Sequence, residues 1–291
     1  MSAHLRRGAT ADGPFSLVLT PELAGWGFSG LRVLELPPGG AHELGTGEDE
    51  LIVLPLSGAC SVTCDGETFA LEGRDDVFSQ VTDFAYAPRD ARVAIASERG
   101  GRFALPSARA SRRLEPRAVA AEEVPVELRG AGQASRQVNN FCAPEAFEAD
   151  RLIAVEVLTP AGNWSSYPPH KHDEERPGRE TALEEIYFFE VAAGPAGPGF
   201  GYQRVYGSGA GREIDVTAEV RSGDAIVMPH GYHGPSMAAP GYDLYYLNVM
   251  AGAGERAWRF TDDPQHAWIR STWEGQEIDA RLPMTSARRH A

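Results

Sequence analysis

The sequence predicts an all-β protein made of two tandem β-barrels or jelly rolls. Runs of β-branched and aromatic residues recur at short spacing along the 291 residues and are separated by Gly, Pro and Asp-Gly breaks, as in barrels and jelly rolls. The chain contains 32 glycines and 21 prolines, which favour strands and turns over long helices. Motifs of the same kind follow one another in the same order in both halves, which indicates a duplication.

The first repeat begins with residues 37–43, which carry His42, and continues through the strand-like residues 50–58 and 84–88. His42 has no second histidine two residues later, and Arg89 and Asp90 stand where the second repeat has a histidine. We therefore expect the first domain, residues 1–125, to share the fold of the second domain and to bind no metal.

The chain has three cysteines, Cys60, Cys64 and Cys142, which cannot all form disulfides with one another. Alternation along a strand that ends at the Asp65-Gly66 turn places Cys60 and Cys64 on the same face. With no secretion signal, we expect all three to be free thiols in a reducing cytoplasm. Since no second cysteine pair exists to complete a metal site, we expect Cys60 and Cys64 to pack within the strand.

Residues 106–135 are rich in charged and turn-forming residues, which indicates a connecting segment. We place the domain boundary within it, so that the second domain covers residues 126–275 and the tail covers residues 276–291. The end of the tail, residues 284–291, is short, polar and basic. We expect it to be frayed and to carry no site of its own.

The second repeat contains the elements of a metal site. His170 and His172 lie two residues apart, so both imidazoles point to the same side of an extended segment. Glu185 and His233 follow in that order and can complete the set. Neutral imidazoles with one carboxylate suit Zn²⁺, Mn²⁺ or Fe²⁺, and open coordination positions mark a catalytic site. We predict one divalent metal ion and rank Zn²⁺ above Mn²⁺ and Fe²⁺.

The identity of the carboxylate ligand depends on the strand that begins near residue 184. Residues 186–189 are β-branched or aromatic, as is typical of a strand. Counting in twos places Glu185 with Tyr187 on one face and Glu184 with Ile186 on the other. The alternation by itself leaves the choice between Glu184 and Glu185 open.

At these positions the chain resembles the cupin superfamily, whose first motif is a glycine followed by His-x-His and Glu and whose second is Gly-x5-Pro-x-Gly-x2-His. The resemblance selects Glu185 as the ligand and implies a bicupin fold. Two departures are a long insertion between His172 and Glu185 and the single residue, Tyr232, between Gly231 and His233. We expect the polar insertion to form a loop at the barrel mouth, near the substrate.

These departures fit one branch of the superfamily. Residues 127–141, 167–174, 183–187, 199–206 and 240–252 resemble the 5-deoxy-glucuronate isomerases of myo-inositol catabolism. The resemblance covers nearly the whole chain and implies a metal-dependent aldose–ketose isomerisation of 5-deoxy-D-glucuronate to 5-dehydro-2-deoxy-D-gluconate. Pectin-derived uronate ketol-isomerases are the nearest alternative. Iron-dependent cupin dioxygenases use the same ligand types, and a sugar-sensing regulator without catalysis is a third class.

The composition restricts the partners. A net charge of −14 provides no electrostatic footprint for nucleic acid and repels an acidic substrate. A small sugar acid therefore requires local cations, for which Lys171 and Arg204 are the nearest candidates. The sequence has no apolar run long enough to span a membrane and no signal peptide at its start. We expect a cytoplasmic protein without membrane partners, and homo-oligomer formation stays open.

The sequence does not identify the catalytic base. Glu174, Glu175 and Glu190 are candidates for proton transfer between neighbouring carbons, whereas a direct hydride shift requires no base. Hydrogen bonds to substrate hydroxyls can come from a larger set of polar residues in the second domain. These are Tyr187, Tyr202, Tyr206, Tyr245, Tyr246 and Asn248.

Overall fold

The computed structural model describes residues 2–287, and strands make up most of its regular structure. The helical segments are short: α1 covers Pro21–Ala24, and three 3₁₀ segments cover Ala121–Glu123, Gly132–Ala134 and Ala267–Gly275. None of the described helices has the length and hydrophobicity needed to cross a bilayer. The predicted all-β class is confirmed.

The strands fall into two groups along the chain. In the first half they are β1 His4–Leu5, β2 Phe15–Leu19, β3 Ser29–Leu36, β4 Gly40–Gly45, β5 Asp49–Cys64, β6 Glu67–Arg74, β7 Phe84–Ala87, β8 Arg92–Ser97, β9 Gly101–Arg109 and β10 Arg117–Val119. In the second half they are β11 Val126–Arg129, β12 Arg136–Cys142, β13 Ile153–Thr159, β14 Trp164–Ser165, β15 His170–Lys171, β16 Glu184–Val191, β17 Gly201–Tyr206, β18 Asp215–Val220, β19 Ala225–Met228, β20 Tyr232–Ala238, β21 Leu244–Ala251 and β22 Thr261–Asp262.

The long strand β5 connects the first-half strands into one antiparallel system. Its first part pairs with β7 and β9, and its last part pairs with β6 and β8. The register shifts on both sides of Gly58, which has a φ of +82°. A Cβ atom at Gly58 would lie 2.5 Å from the carbonyl oxygen of Gly100. The bend in β5 therefore requires glycine at this position.

Two sheets form the second half. One sheet has the order β1-β19-β16-β21-β13-β12-β11, and the other has the order β18-β17-β20-β15-β22 with β14 beside β20. Apolar residues from both sheets, including Val155, Phe189, Val205 and Val220, share one buried cluster. The segments predicted to carry the metal ligands lie on β15 and β20 in one sheet and on β16 in the other.

The N-terminal strand belongs to the sheet of the second half. In β1, His4 pairs with Ile226 and Leu5 pairs with Ala225. The predicted first domain, residues 1–125, thus contributes one strand to the other domain. The boundary after residue 125 falls between β10, which pairs with β7, and β11, which pairs with β12.

The expectation of a frayed tail is wrong for residues 284–286, because their backbone is hydrogen bonded to buried groups. The side-chain oxygen of Gln137 accepts hydrogen bonds from the backbone nitrogens of Met284 at 2.8 Å and Thr285 at 3.0 Å. The Val81 nitrogen donates to the Ser286 carbonyl. Residues 288–291, which also belong to the predicted frayed end, lie outside the described residues.

All three cysteines are free and buried, as predicted. Cys60 and Cys64 both belong to the apolar core of the first half, and Cys142 belongs to the cluster that joins the halves. Burial raises the pKa of Cys60 to about 12 and that of Cys142 to about 11. These residues act as packing groups.

Glu50 of β5 connects the two halves through a buried carboxylate. It is fully buried and accepts hydrogen bonds from the backbone nitrogens of Asp150, Arg151 and Leu152 at 2.6–2.8 Å. The hydroxyl group of Tyr86 donates a further hydrogen bond at 2.7 Å. The first half therefore supplies the acceptor that satisfies three backbone donors of the second half.

Glu184 of β16 makes the reciprocal connection. Its carboxylate accepts hydrogen bonds from the backbone nitrogens of Gly27, Phe28 and Ser29 at 2.6–2.9 Å. Its carbonyl oxygen also accepts from the Ser29 hydroxyl at 3.1 Å. Each half thus holds a backbone segment of the other through one glutamate, in addition to the apolar cluster that spans them.

We predict that Glu50→Gln destabilises the protein. The amide keeps one acceptor oxygen but directs an NH₂ group towards backbone donors, so at least one charged hydrogen bond is lost. Because hydrogen bonds to charged groups contribute about 1.5–3 kcal/mol each, the free energy of unfolding should fall by about 3 kcal/mol. Chemical denaturation measures this change. Glu43→Gln on the exposed side of β4 is the matched control, and equal stability of the two variants would contradict the assignment.

Candidate metal centre

Three of the four predicted ligands form a compact buried group. His172 follows β15, Glu185 lies on β16 and His233 lies on β20. One ligand atom from each of these residues lies within 4.8 Å of the others, and all three side chains are buried. The paired sheets place them together, because β15 and β20 are hydrogen-bonded neighbours in register at His170 and His233.

The polar atoms of this group fit a bound cation. The Nε2 atom of His172 lies 3.1 Å from Oε2 of Glu185, and Nε2 of His233 lies 2.9 Å from the same oxygen. The second of these contacts lacks hydrogen-bond geometry, and both His233 Nε2 and Glu185 Oε1 are buried without a hydrogen-bond partner. Buried polar atoms are nearly always paired. An imidazole nitrogen and a carboxylate oxygen without hydrogen-bond partners are therefore suitable ligand atoms for a divalent metal.

The carboxylate of the group is ionised, which is the form that coordinates a metal. Although burial opposes ionisation, His233 and His172 hold the pKa of Glu185 well below its usual range. Burial, with His233 and His172 close by, holds the pKa of His170 well below its usual value. Burial opposes protonation of His172, but Glu185 raises its pKa above the usual value, so a bound metal would displace a proton from this imidazole.

His170 lies next to this group but outside it. Its ring centroid is 4.5 Å from that of His233 and 6.4 Å from that of His172. Its Nδ1 atom lies 3.3 Å from the Pro168 carbonyl oxygen, a contact typical of histidines whose other nitrogen is directed at a metal. Coordination by His170 stays a prediction.

The two adjacent glutamates point in opposite directions. Glu185 is directed into the histidine group, whereas the Glu184 carboxylate is occupied by the backbone nitrogens of residues 27–29. The geometry thus agrees with the choice of Glu185 made from the resemblance.

A narrow cavity adjoins the histidine group at His170 and Tyr187. Its volume of about 30 Å³ holds one or two water molecules, so a six-carbon acid enters only after lining side chains move. The lining is Arg129, Arg136, Val138, Val157, Ser166, His170, Tyr187, Tyr246, Asn248, Trp258, Phe260 and Arg270.

Asn248, Tyr187 and Tyr246 are the predicted substrate residues that line the cavity. The Asn248 side-chain oxygen is buried without a hydrogen-bond partner. The rings of Tyr187 and Tyr246 stack at a centroid distance of 4.3 Å, and the Tyr187 hydroxyl lies 2.7 Å from Ser166 Oγ. Burial raises the pKa of Tyr187 well above its usual value, so this hydroxyl stays protonated and can donate.

Lys171 and Arg204 do not line the cavity. The Lys171 ammonium group lies 2.6 Å from Asp173 and 2.7 Å from Glu180. Arg204 pairs with Asp215, and its guanidinium donates to backbone carbonyl groups within its own sheet. Both predicted substrate cations therefore have internal partners.

The other predicted substrate tyrosines also lie elsewhere. Tyr202 is 37% exposed on the surface, and the Tyr206 hydroxyl donates to Asp263. The Tyr245 hydroxyl donates to Glu156 at 2.8 Å, in the contact between the two halves.

The three candidate bases are outside the cavity. Glu174 pairs with Arg176 and Arg212, and Glu190 lies 2.7 Å from Arg102 of the first half. Glu175 accepts a hydrogen bond from the backbone of the insertion. No described side chain lining the cavity is an aspartate or a glutamate.

The insertion is a loop, as predicted, but none of its described residues lines the cavity. The buried Glu180 holds it in place. This carboxylate accepts hydrogen bonds from Lys171 Nζ, the Asp173 nitrogen and the Thr261 hydroxyl. The loop thus fixes the segment that follows β15.

The sequence analysis missed the basic residues of the cavity, Arg129, Arg136 and Arg270. A signal existed for Arg136, which lies in residues 127–141 and shares a strand face with the buried Val138. A charged residue on an apolar strand face is unusual, and it suggests a functional group.

The chain is similar to known proteins over most of its length. A model of the KduI/IolB family matches residues 4–269. The 5-deoxy-glucuronate isomerase of Geobacillus kaustophilus is 40% identical over 253 residues, which cover 86% of this chain and 89% of the relative. The 5-deoxy-glucuronate isomerase of Halalkalibacterium halodurans is 37% identical over 275 residues, which cover 92% of this chain and 99% of the relative.

Solved structures support the same grouping. The crystal structure of an IolB-like protein from Salmonella typhimurium LT2 matches with a TM-score of 0.82 at 36% identity, over 89% of this chain and 97% of that chain. A Lactobacillus farciminis oxalate decarboxylase, which is a bicupin, matches with a TM-score of 0.60 at 12% identity, over 84% and 82% of the two chains. The second match concerns the fold alone, and it confirms the predicted bicupin architecture. The chain belongs to the KduI/IolB family.

Proposed function

We propose that the protein is a metal-dependent isomerase that converts 5-deoxy-D-glucuronate to 5-dehydro-2-deoxy-D-gluconate in myo-inositol catabolism. The observation that carries the proposal is a buried His172, Glu185 and His233 group beside a polar cavity. It occurs in a chain that is 37% identical to a 5-deoxy-glucuronate isomerase over 99% of that relative's length. A small sugar acid as substrate and a cytoplasmic location are part of this proposal.

The proposed cofactor is one divalent metal ion, with Zn²⁺ ranked above Mn²⁺ and Fe²⁺. His172, Glu185 and His233 would hold it, with His170 as the fourth ligand. When bound, such an ion polarises a carbonyl group and the adjacent hydroxyl group, which lowers the cost of charge developing on those oxygens.

The side chains around the cavity would orient the open-chain sugar acid. The protonated Tyr187 hydroxyl donates a hydrogen bond, and the unpaired Asn248 oxygen accepts one from a substrate hydroxyl. Val138, Val157 and Phe260 form an apolar part of the lining. These groups exclude water from the cavity, which strengthens the hydrogen bonds to the substrate oxygens on the reacting carbons.

We predict that His233→Asn purifies with almost no bound metal. This substitution removes a buried imidazole from the three-residue group, and the remaining ligands do not form a closed site. His230→Asn is the matched control, because His230 lies three residues away in the chain but its ring reaches only the Glu213 carbonyl oxygen near the surface. Elemental analysis measures metal per chain. Full metal content in the His233 variant would contradict the assignment.

The activity prediction concerns the wild-type enzyme loaded with metal. Under anaerobic conditions it should convert 5-deoxy-D-glucuronate to the ketose without an organic cofactor, and chelation should abolish the conversion until metal is restored. Nuclear magnetic resonance of the product mixture measures the reaction. Turnover of a pectin-derived uronate but not of 5-deoxy-D-glucuronate would identify a pectin-derived uronate ketol-isomerase. Oxygen uptake with a catechol would identify a dioxygenase instead.

A further inference from the structure

Arg136 is a buried cation without an acidic partner. The residue is only 5% exposed, and its Nη1 atom donates to the carbonyl oxygens of Ala134 at 3.0 Å and Tyr167 at 3.5 Å. Among the described residues, no carboxylate lies within ion-pair distance of Arg136. The guanidinium group lines the cavity that adjoins the histidine group.

The two other arginines of the cavity are already neutralised. Arg129 binds Glu127 through two nitrogens at 2.7 and 2.9 Å. Arg270 binds Asp262 through two nitrogens, one of them at 2.7 Å. These internal pairs distinguish Arg136 as the arginine of the cavity whose charge has no counterpart in the described protein.

An unpaired buried charge is costly, because removal from water is not offset by a partner. Burial and the nearby Arg129 and Arg270 lower the pKa of Arg136 to about 10, so it remains a cation at neutral pH. A group of this kind is retained where an anion binds, since a guanidinium offers a carboxylate two parallel hydrogen bonds.

We propose that Arg136 binds the carboxylate of the sugar-acid substrate. The inference rests on the proposed function and deepens it by naming the residue that selects an acid over a neutral sugar. His170 and Arg136 line the same cavity, so the carbonyl end of an open chain lies towards the histidine group while its carboxylate lies against Arg136. The unpaired Asn248 oxygen and Trp258 Nε1 atom bind hydroxyl groups between these ends.

This assignment replaces the two cations chosen from the sequence. Lys171 and Arg204 both have acidic partners of their own, whereas Arg136 has none among the described residues. Arg136→Met removes a buried charge that no described carboxylate offsets, but it also removes the hydrogen bonds to two carbonyl groups and the contact with the Trp273 ring at 5.9 Å, so its net effect on stability should be small. A loss of function in this variant would then not result from unfolding.

The kinetic test compares Arg136→Met and Arg136→Lys with Arg204→Met as the control, all in metal-loaded full-length protein. With 5-deoxy-D-glucuronate, kcat/KM should fall roughly ten- to hundredfold in Arg136→Met, as expected for a lost charge-assisted contact. The kcat/KM of Arg136→Lys should lie between those of Arg136→Met and the wild type, because lysine keeps the charge but not the two parallel hydrogen bonds of a guanidinium. The control should match the wild type. Wild-type kinetics in Arg136→Met would overturn the inference.

A binding test separates this inference from the proposed function, since it requires no turnover. D-gluconate and D-glucitol share a six-carbon open chain and differ in the carboxylate. D-gluconate should raise the melting temperature of the wild-type and Arg204→Met proteins more than D-glucitol does, and this difference should vanish in Arg136→Met. Equal effects of the two compounds on the wild type, or a preserved difference in Arg136→Met, would overturn the assignment. Absence of isomerase activity with a preserved gluconate effect would overturn the proposed function only.

Discussion

The alternation of side chains along β16 is the constraint on which the candidate site depends. Two adjacent carboxylates at its start point in opposite directions. Glu184 accepts hydrogen bonds from the backbone nitrogens of residues 27–29 in the first half, and Glu185 enters the buried histidine group. The contact that fixes the two halves against each other therefore also fixes the depth and orientation of the strand that supplies the carboxylate ligand.

The duplicated architecture gives the first half a positioning role. Glu50 in β5 and Glu184 in β16 each satisfy three backbone donors of the opposite half. His42, the motif histidine of the first repeat, has a packing contact: its ring lies edge-on against the ring of Phe15 at a centroid distance of 4.9 Å. The reciprocal contacts connect the two halves at the sheet that contains both β16 and β12, which carries Arg136.

The sequence placed His172, Glu185 and His233 together, as the structure does, whereas coordination of a metal by these residues and by His170 stays a prediction. Two-residue alternation joins His170 to His172, and the family resemblance separates Glu185 from Glu184. Lys171 and Arg204 were chosen as substrate cations by closeness in sequence, which is not closeness in space: neither lines the cavity, and Lys171 pairs with Glu180 of the insertion. Arg136 lies on β12, and the pairing of β12 with β13, β21 and β16 in one sheet brings it to the cavity. Such long-range pairing depends on strand order, which no local pattern specifies.

Metal content of the Glu184→Gln and Glu185→Gln variants tests the central claim most directly. Each change removes one negative charge at adjacent positions of the same strand. The two variants therefore differ in the face of β16 from which the charge is removed. Measured per folded chain by elemental analysis, Glu184→Gln should bind as much metal as the wild type, although it is less stable to denaturant, and Glu185→Gln should bind almost none. Full metal content in Glu185→Gln, or equal loss in both variants, would contradict the account.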